Sequence, residues 1–349
     1  MGWKEPVLNP LVKIIDSSDS DFDISVFLKE YCSSEHIHIF SGIAAYRTVT
    51  LAFKAAIKRK CRIGILTEPL DFRGFKGLLR NIRGHYHYFK YSTKIEFLLP
   101  IGRQARLQFE NWGYEKTRIY DWAYCVEQSR SMDERLVGNK VNDTFKIMFA
   151  GSLIKRKGYD VLIEALQKLQ SKNYIADFFC YHDGDATYVD KLKQQLKLSS
   201  KIRLRPFLTN NELRRKMVEY DLFILPSRHD GWGAVVSESL MEGTPVLVSK
   251  FCGASILIGN DNVGKVLCNL TADATAEDLA AWMGRGKLNY KQRLENRNWA
   301  KTTISSEALA IYFSSILAHL SKRQNVNYPI APWIKSEIEE EEVLLPVYY

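Results

Sequence analysis

Short apolar runs bounded by glycine, proline or polar clusters alternate with amphipathic segments along this chain. Such runs are typical of strands buried on both faces of a parallel sheet. They predict strands at Ile37–Phe40, Arg62–Leu66, Phe97–Leu99, Phe145–Ala150, Phe178–Tyr181, Ile202–Phe207, Leu222–Leu225 and Thr244–Val248. Helical spacing predicts helices at Thr48–Lys58, Arg103–Trp112, Val161–Leu169, Ala234–Met241, 273–284, 304–321 and from a cap at Asn210. The alternation predicts an α/β fold with doubly wound parallel sheets.

The alternation occurs twice, and 349 residues are enough for two domains with separate cores. A polar stretch from Gln128 to Asp143 separates the two halves. We therefore predict a first domain at 1–128, a linker at 129–143, a second domain at 144–322 and a C-terminal segment at 323–349. The first domain looks short by one strand–helix unit. Acidic residues 339–342 predict a solvated tail.

Composition narrows the class of protein. The chain is 46% hydrophobic and 26% charged, which is typical of a globular protein, and its net charge of +9 favours an acidic partner. Its apolar runs are too short to cross a bilayer, and its start does not look like a signal peptide. The six cysteines show no CxxC spacing, which predicts reduced core thiols. We therefore expect a cytoplasmic protein.

The turn that follows the predicted strand Leu222–Leu225 carries candidate chemistry. It leads into a helix whose first amides have no internal partners and lie at the positive end of the dipole, so an anion can bind there. Gly231 and Gly233 let a phosphate approach the backbone. Asp230 lies in the turn, and Glu238 lies too deep in the helix to cap it, so it is better placed to bind hydroxyls such as those of a ribose. An ordinary turn Asp and a solvated Glu are the alternative.

A second loop supplies cations. It follows the strand Phe145–Ala150 and contains Gly151, Ser152, Arg156 and Lys157. Arginine can hold a diphosphate through two parallel hydrogen bonds, and lysine adds a compact charge. In a doubly wound sheet this loop opens onto the same crevice as the first turn. A solvated basic turn remains the alternative.

The run from Asp230 to Glu238, followed by Met241-Glu242-Gly243-Thr244-Pro245-Val246, resembles the donor-site motif of family 4 glycosyltransferases, which are retaining enzymes. The resemblance implies the GT-B fold: two Rossmann-like domains that face a central cleft, with a C-terminal helix crossing back to the first domain. It assigns Tyr328–Trp333 to that crossing. It also implies that neither a metal nor a cofactor is needed, and the sequence shows no clustered DxD or His-rich metal motif.

The resemblance assigns roles to residues in both loops. Arg156, Lys157, Asp230 and Glu238 would be catalytic: the cations stabilise the leaving phosphate, Asp230 holds the donor sugar and Glu238 holds the ribose. Many relatives carry an arginine where this chain has Ser152, so Arg156 is expected to take over the role of that arginine. The residues expected to bind the donor nucleotide are Gly151, Ser152, Arg205, Phe207, Leu208, Gly231, Trp232, Gly233, Ala234 and Val235.

The function implied is transfer of a hexose from a UDP-sugar, or alternatively a GDP-sugar, to a hydroxyl of a surface polysaccharide or lipid-linked glycan. Two other interpretations stay open. One is a non-catalytic GT-B-like partner of another transferase, and the other is a nucleotide-sugar epimerase or phosphorylase. A nicotinamide dehydrogenase is disfavoured because no GxGxxG motif follows a strand.

Residues 72–95 contain no acidic side chain and mix arginine and lysine with aromatic residues. That combination suits an anionic membrane surface, or a single-stranded nucleic acid, and a solvated basic helix is the simplest alternative. No nucleic-acid-binding motif surrounds the segment. Relatives that act on lipid-linked acceptors often contact the membrane through this part of the first domain. We therefore expect peripheral membrane contact and no nucleic-acid partner.

Overall fold

The computed structural model describes residues 23–44, 46–127, 143–181, 186–259, 261–321 and 327–334. Contacts divide the chain into two compact units, Met1–Trp122 and Ala123–Tyr349. The predicted linker lies outside the described residues except for Asp143, and the predicted acidic tail lies wholly outside them. Each unit is therefore described by itself.

The first unit is built on a sheet of three parallel strands in the order β1-β2-β3. Its described elements are α1 (Ile24–Tyr31), β1 (Ile37–Ser41), α2 (Arg47–Lys58), β2 (Arg62–Thr67), α3 (Gly74–Tyr91), β3 (Phe97–Pro100) and α4 (Arg103–Trp112). Side chains from the sheet, α2 and α4 form one buried core, with Phe53, Ile63, Ile65 and Phe109 among its members. The sequence predicted β1, β2, β3, α2 and α4; it did not predict α1, and it gave a helix in place of α3 only as one alternative for residues 72–95.

The second unit is built on a sheet of six parallel strands in the order β6-β5-β4-β7-β8-β9. Its strands are β4 (Phe145–Ala150), β5 (Tyr174–Tyr181), β6 (Ile202–Pro206), β7 (Leu222–Leu225), β8 (Val246–Ser249) and β9 (Gly264–Leu267). Its helices are α5 (Tyr159–Lys168), α6 (Ala186–Gln195), α7 (Asn210–Met217), α8 (Ala234–Met241), α9 (Ala272–Gly284), α10 (Tyr290–Ile304) and α11 (Ser306–Leu320).

The strand order of this sheet reverses between β4 and β7. The chain builds outward from β4 through β5 to β6, then returns to the other side of β4 and builds outward through β7, β8 and β9. In open parallel sheets, ligands bind beyond the carboxyl ends of the strands at such a switch point. The loops that follow β4 and β7 are the two loops that the sequence singled out.

Four features of the second unit differ from the predictions. Helix α7 begins at Asn210, but its cap is Thr209 and not Asn210: the Thr209 side chain accepts a hydrogen bond from the Glu212 amide, and Glu212 bonds back to Thr209. Strand β9 and helices α6 and α10 were not predicted. In the described residues, no helix is long and apolar enough to span a bilayer.

The end of the described chain packs within the second unit. The Trp333 ring lies edge-on to Tyr312 of α11, with centroids 6.2 Å apart, and residues 327–334 are grouped with this unit. The implied crossing back to the first domain stays a prediction.

Candidate functional site

The loop after β4 is held in shape by glycine. Gly151 leaves the strand and its amide donates to the carbonyl oxygen of Phe179. A 3-10 turn at Lys155–Lys157 then presents the cations, and Gly158 follows with a φ of 71°. A Cβ at Gly158 would collide with the carbonyl oxygen of Pro226, at the end of β7. The basic turn therefore lies directly against the loop that follows β7. Only glycine fits at position 158, because any side chain there would meet that loop.

The loop after β7 leads straight into α8. Trp232 is buried and its indole nitrogen donates a 3.0 Å hydrogen bond to Ser237 Oγ, which fixes the turn against the first turn of the helix. Gly233 caps the helix with a φ of 84°, and a Cβ there would press on Cys252 Sγ. Ala234 and Val235 are the first two helical residues and are half-buried. Their amides belong to the set that has no partner within the helix.

The two loops meet through side chains that are far apart in sequence. Lys157 Nζ forms an ion pair with Asp230 Oδ2 at 2.6 Å, and both side chains are largely buried. Arg156 donates a 3.0 Å hydrogen bond to the carbonyl oxygen of His229. In the other direction, the amide of Arg228 donates to the carbonyl oxygen of Arg156 at 2.8 Å. The structure therefore brings Arg156, Lys157 and Asp230 together, as the sequence predicted for one crevice.

Glu238 lies in the second turn of α8 and is only 4% exposed. Its Oε1 accepts a 2.7 Å hydrogen bond from the side-chain amide of Asn210, while Oε2 has no partner in the described part of the chain. Burial raises the pKa of this carboxyl, and Glu242 adds to the rise, while Asn210 and Arg214 oppose it. A buried carboxylate oxygen without a partner costs free energy unless a ligand completes it. Glu238 is therefore built to accept a hydrogen bond from a bound group.

A buried ion pair lies one helical turn beyond Glu238. Glu242 is fully buried, and its Oε1 lies 2.5 Å from the guanidinium of Arg214 on α7. Burial raises the pKa of the Glu242 carboxyl, and the charges of Arg214 and Arg297 oppose that rise. The pair fixes α7 against α8, which sets where Asn210 meets Glu238. Sequence reasoning missed the role of Arg214, because nothing local distinguishes it from the neighbouring Arg215 and Lys216.

Arg205 lies on β6 and is engaged by a buried acid. Its Nε lies 2.8 Å from Asp177 Oδ1, and Asp177 also binds Arg203 and the hydroxyl of Tyr220. The arginine therefore belongs to a network that joins the edge strand β6 to β5 and to Tyr220, two residues before β7. The loop after β6 carries Phe207 and Leu208 and reaches Asn210 two residues later. The roles of Arg205, Phe207 and Leu208 at a nucleotide base stay predictions.

The remaining predicted residues lie in the loops that follow β4 and β7. Ser152 is exposed at the end of β4, and its carbonyl oxygen accepts from the Ile154 amide at 2.9 Å. Gly231 lies in the second turn, where a Cβ on Gly253 would collide with its carbonyl oxygen. Gly151, Ser152 and Gly231 therefore lie on the loops that the switch point brings together, although no described contact assigns any of them a ligand.

Comparison with known proteins shows which proteins this chain is similar to. Residues 132–301 match the family model described as Glycosyl transferases group 1. The chain is 30% identical to the O-antigen biosynthesis glycosyltransferase WclY of Escherichia coli, over 64% of this chain and 63% of that protein. It is 29% identical to the lipopolysaccharide glucosyltransferase WaaG of Escherichia coli, over 35% of this chain and 32% of that protein. The chain therefore spans less than two thirds of the length of these curated relatives.

Solved structures share the fold at low identity. A glycosyltransferase from Rickettsia africae superposes with a TM-score of 0.65 at 16% identity, covering 90% of this chain and 85% of that one. Anabaena Alr3699/HepE in complex with UDP gives a TM-score of 0.65 at 15% identity, covering 85% and 82%. The fold is that of GT-B glycosyltransferases, with a parallel-sheet α/β domain in each half. The chain resembles the bacterial glycosyltransferases that build surface polysaccharides.

Proposed function

We propose that this chain, whose residues 132–301 match the Glycosyl transferases group 1 family model, transfers a hexose from a nucleotide-diphosphate sugar to a hydroxyl of a surface-polysaccharide or lipid-linked glycan acceptor. A UDP-sugar is the favoured donor and a GDP-sugar the alternative. The reaction proceeds with retention of configuration and without a metal ion. The observation that carries the proposal is the Lys157–Asp230 ion pair, which joins the cationic loop to the start of α8 at the switch point.

The ion pair gives the site a resting state and a bound state. Without a donor, Lys157 and Asp230 neutralise each other at 2.6 Å in a largely buried position. A diphosphate carries more negative charge than one carboxylate and can hold Lys157 and Arg156 together. When Lys157 turns to the phosphate, Asp230 is released to accept hydrogen bonds from the hydroxyls of the donor sugar. Donor binding and sugar positioning are thus coupled through one lysine.

The chemistry follows from where charge develops. Breaking the bond between the sugar and the diphosphate places negative charge on the leaving phosphate and positive charge on the sugar ring. Arg156, Lys157 and the first amides of α8 stabilise the phosphate, which is the role that a divalent cation plays elsewhere. The departing phosphate oxygen then takes the proton of the acceptor hydroxyl on the same face, so retention needs no protein base.

Glu238 supplies the nucleoside contact. Its Oε2, which is buried and has no partner in the described residues, accepts a hydrogen bond from a ribose hydroxyl, while Asn210 holds Oε1. Nucleobase identity is not read by this contact, because a ribose is common to UDP and GDP. The preference for uridine comes from the resemblance alone and is part of the proposal.

The proposed function is tested on the full chain. Thermal stabilisation by a panel of UDP- and GDP-sugars identifies the donor, and release of the nucleotide diphosphate with a glycan acceptor measures turnover. We expect stabilisation by one donor class, turnover that survives EDTA, and an anomeric proton in the product that matches the donor's configuration by NMR. Donor binding without turnover on any acceptor would favour a non-catalytic partner. Epimerisation of the donor without an acceptor would favour an epimerase.

We further propose that the outer face of α3 docks on an anionic membrane. Six large apolar side chains on this helix are exposed, with Phe89 89% and Phe75 74% accessible. At 100° per residue they fall within a sector of about 100° of the helix circumference. They are Phe75, Leu78, Leu79, Ile82, Tyr86 and Phe89.

The opposite face of α3 is the one that packs on the first unit. Gly77 lies against the backbone of Phe72, and Gly84 lies against the indole of Trp112, with no room for a Cβ at either position. The glycines therefore face inward and the large apolar residues face outward, which is the reverse of an ordinary surface helix. Lys76 and Lys90 lie on one flank of the exposed stripe, and the segment carries no acidic residue. An apolar stripe flanked by cations is the pattern of a helix that lies in the interface of an anionic bilayer.

A further inference from the structure

The first unit contains a cluster of metal-binding side chains that the proposed function does not use. Cys32 follows α1, His38 lies in β1 and Cys61 precedes β2, and one ligand atom from each lies within 4.8 Å of the others. The two cysteines are 29 positions apart, so the absence of CxxC spacing led the sequence to predict inert thiols. We propose that Cys32, His38 and Cys61 bind a single zinc ion.

The sulfur atoms already have the separation that zinc requires. Cys32 Sγ and Cys61 Sγ lie 3.8 Å apart, and both cysteines are free and buried. A disulfide would bring the sulfurs to about 2.05 Å. Two thiolates bound at about 2.3 Å to one tetrahedral zinc ion lie about 3.8 Å apart. The observed spacing therefore matches two ligands of a shared ion.

One ring nitrogen of His38 has a backbone hydrogen-bond partner. Its Nε2 lies 2.9 Å from the carbonyl oxygen of Ser33. A carbonyl oxygen only accepts, so Nε2 carries the hydrogen of the neutral ring and Nδ1 keeps the lone pair. Histidines that bind metals usually donate their other ring N–H to a carbonyl or carboxylate, which fixes the tautomer and the ring orientation. Ser33 supplies that partner here, one residue after Cys32.

The backbone around the two cysteines is fixed before any ion arrives. At the end of α2 the Cys61 amide donates to the carbonyl oxygen of Ala56 and the Lys60 amide donates to that of Ile57, both at 3.0 Å. This is a Schellman motif, with Lys60 in the left-handed region at a φ of 58°. The Arg59 guanidinium donates to the carbonyl oxygen of Cys32 at 3.4 Å, so one short turn holds both cysteines. Such preorganisation lowers the entropy cost of binding.

The donor set selects the class of metal. Two thiolates and an imidazole suit zinc, whereas magnesium and calcium prefer oxygen ligands. Cysteine binds zinc as the thiolate, so zinc binding would displace the thiol protons of Cys32 and Cys61. The three side chains leave the fourth tetrahedral position for a water molecule or another donor. A bound ion would join α1 to β1 and β2, and would therefore stabilise the first unit.

The test measures zinc and stability, not activity. The full chain, without a histidine tag and kept reduced, is loaded with zinc, desalted and measured by plasma mass spectrometry. We expect about one zinc ion per chain in the wild type and in Cys180→Ser, which removes a buried thiol of the second unit, and at least a tenfold loss in Cys61→Ser. Zinc should raise the unfolding temperature of the wild type and Cys180→Ser, and should leave that of Cys61→Ser unchanged.

His38→Gln provides a second route in case Cys61→Ser does not fold, because His38 is only half-buried. It should lose zinc while it unfolds at the temperature of the metal-free wild type. Three results would overturn the proposal. These are a wild type that keeps no zinc, zinc that stays bound in both Cys61→Ser and His38→Gln because it sits on the exposed thiols Cys125 and Cys268, and a Cys32–Cys61 disulfide in peptides from the reduced preparation.

Discussion

Asn210 binds only one of the two carboxylate oxygens of Glu238. The Asn210 amide donates to Oε1 at 2.7 Å, and Oε2 is buried without a partner in the described residues. Most buried side-chain oxygens in proteins have a hydrogen-bond partner. The arrangement therefore points to a ligand hydroxyl, and it also makes Asn210 a positioning residue, because the amide fixes which way the carboxylate points.

Substitution of Glu238 should weaken donor binding more than it alters the fold. Glu238→Gln keeps the shape and an oxygen for Asn210 but removes the charged acceptor, and hydrogen bonds to charged groups contribute about 1.5–3 kcal/mol. We expect donor affinity, measured by calorimetry, to fall by about 10- to 100-fold. Asn210→Ala should give a smaller loss, because the carboxylate remains but is less well oriented. Unchanged affinity in Glu238→Gln would refute a nucleoside contact at this position.

The buried Glu238 carboxyl should make the stability of the folded chain depend on pH. Burial raises the pKa of Glu238 in the folded chain above the ordinary 4.5, so the folded state binds this proton more tightly than the unfolded state. The resulting penalty is absent below the unfolded pKa and is complete above the folded pKa. The unfolding temperature of Glu238→Gln relative to wild type should therefore rise as the pH increases from below 4.5 through the folded pKa of Glu238. A difference that is flat with pH, or that falls, would contradict this account.

Lys157 and Lys155 form a matched pair for testing the phosphate contact. Both lie in the same 3-10 turn, but only Lys157 reaches Asp230, while Lys155 is exposed. Lys157→Ala should reduce turnover by about 10²- to 10³-fold, which is the effect of removing one preorganised donor from a developing negative charge. Lys155→Ala should leave turnover within about twofold. Equal losses in the two variants would mean that only the net charge of the turn matters.

Removal of apolar side chains from α3 should release the chain from vesicles. The double variant Leu78→Ser/Ile82→Ser should lower binding to phosphatidylglycerol-containing vesicles by tenfold or more in a sedimentation assay, since burying one such side chain is worth about 1.5–3 kcal/mol. Leu107→Ser, on α4, removes a leucine of similar exposure and is the control. Lys76→Glu should weaken binding to anionic vesicles but not to neutral ones. If Leu107→Ser matched the double variant, α3 would not be the contact.

Gly158 and Gly284 separate a packing requirement from a general effect of glycine. Gly158→Ala forces a side chain into the left-handed region and against the Pro226 carbonyl. The free energy of unfolding, measured in urea, should therefore fall by about 2 kcal/mol. Gly284 ends α9 with open space around it, and Gly284→Ala should be neutral or stabilising by up to about 1 kcal/mol. If Gly158→Ala proves as stable as wild type, the basic turn does not pack on β7 as described.

Local patterns were enough to place several elements. Strand β4, strand β7 and helices α4 and α8 were predicted with the bounds that the structure shows, because their apolar runs and glycine stops are strong signals. Helix α10 was missed for a physical reason. Its inward face carries Arg293, Asn296 and Arg297, and Arg293 donates to the carbonyl oxygen of Val218. Buried polar residues that bind distant backbone atoms leave no apolar periodicity to read.

The helix cap shows the same limit on a smaller scale. Thr209 and Asn210 are both favourable caps, so sequence alone could not choose between them. Thr209 caps the helix in the structure, and the amide of Asn210 is used instead by Glu238. Asn210 and Glu238 are 28 positions apart, so no local pattern of residues could show that contact.

By itself, the sequence determined most of the strands and helices, the two loops that carry charge and the acids that accompany them, because these are encoded within a few neighbouring residues. Only the tertiary structure decided which residues meet: Lys157 with Asp230 across 73 positions, and Cys32 with Cys61 across 29. Those contacts depend on the order in which parallel strands assemble and on the packing of helices against them. Strand order is set by the burial of whole sheets, which no short pattern of residues encodes.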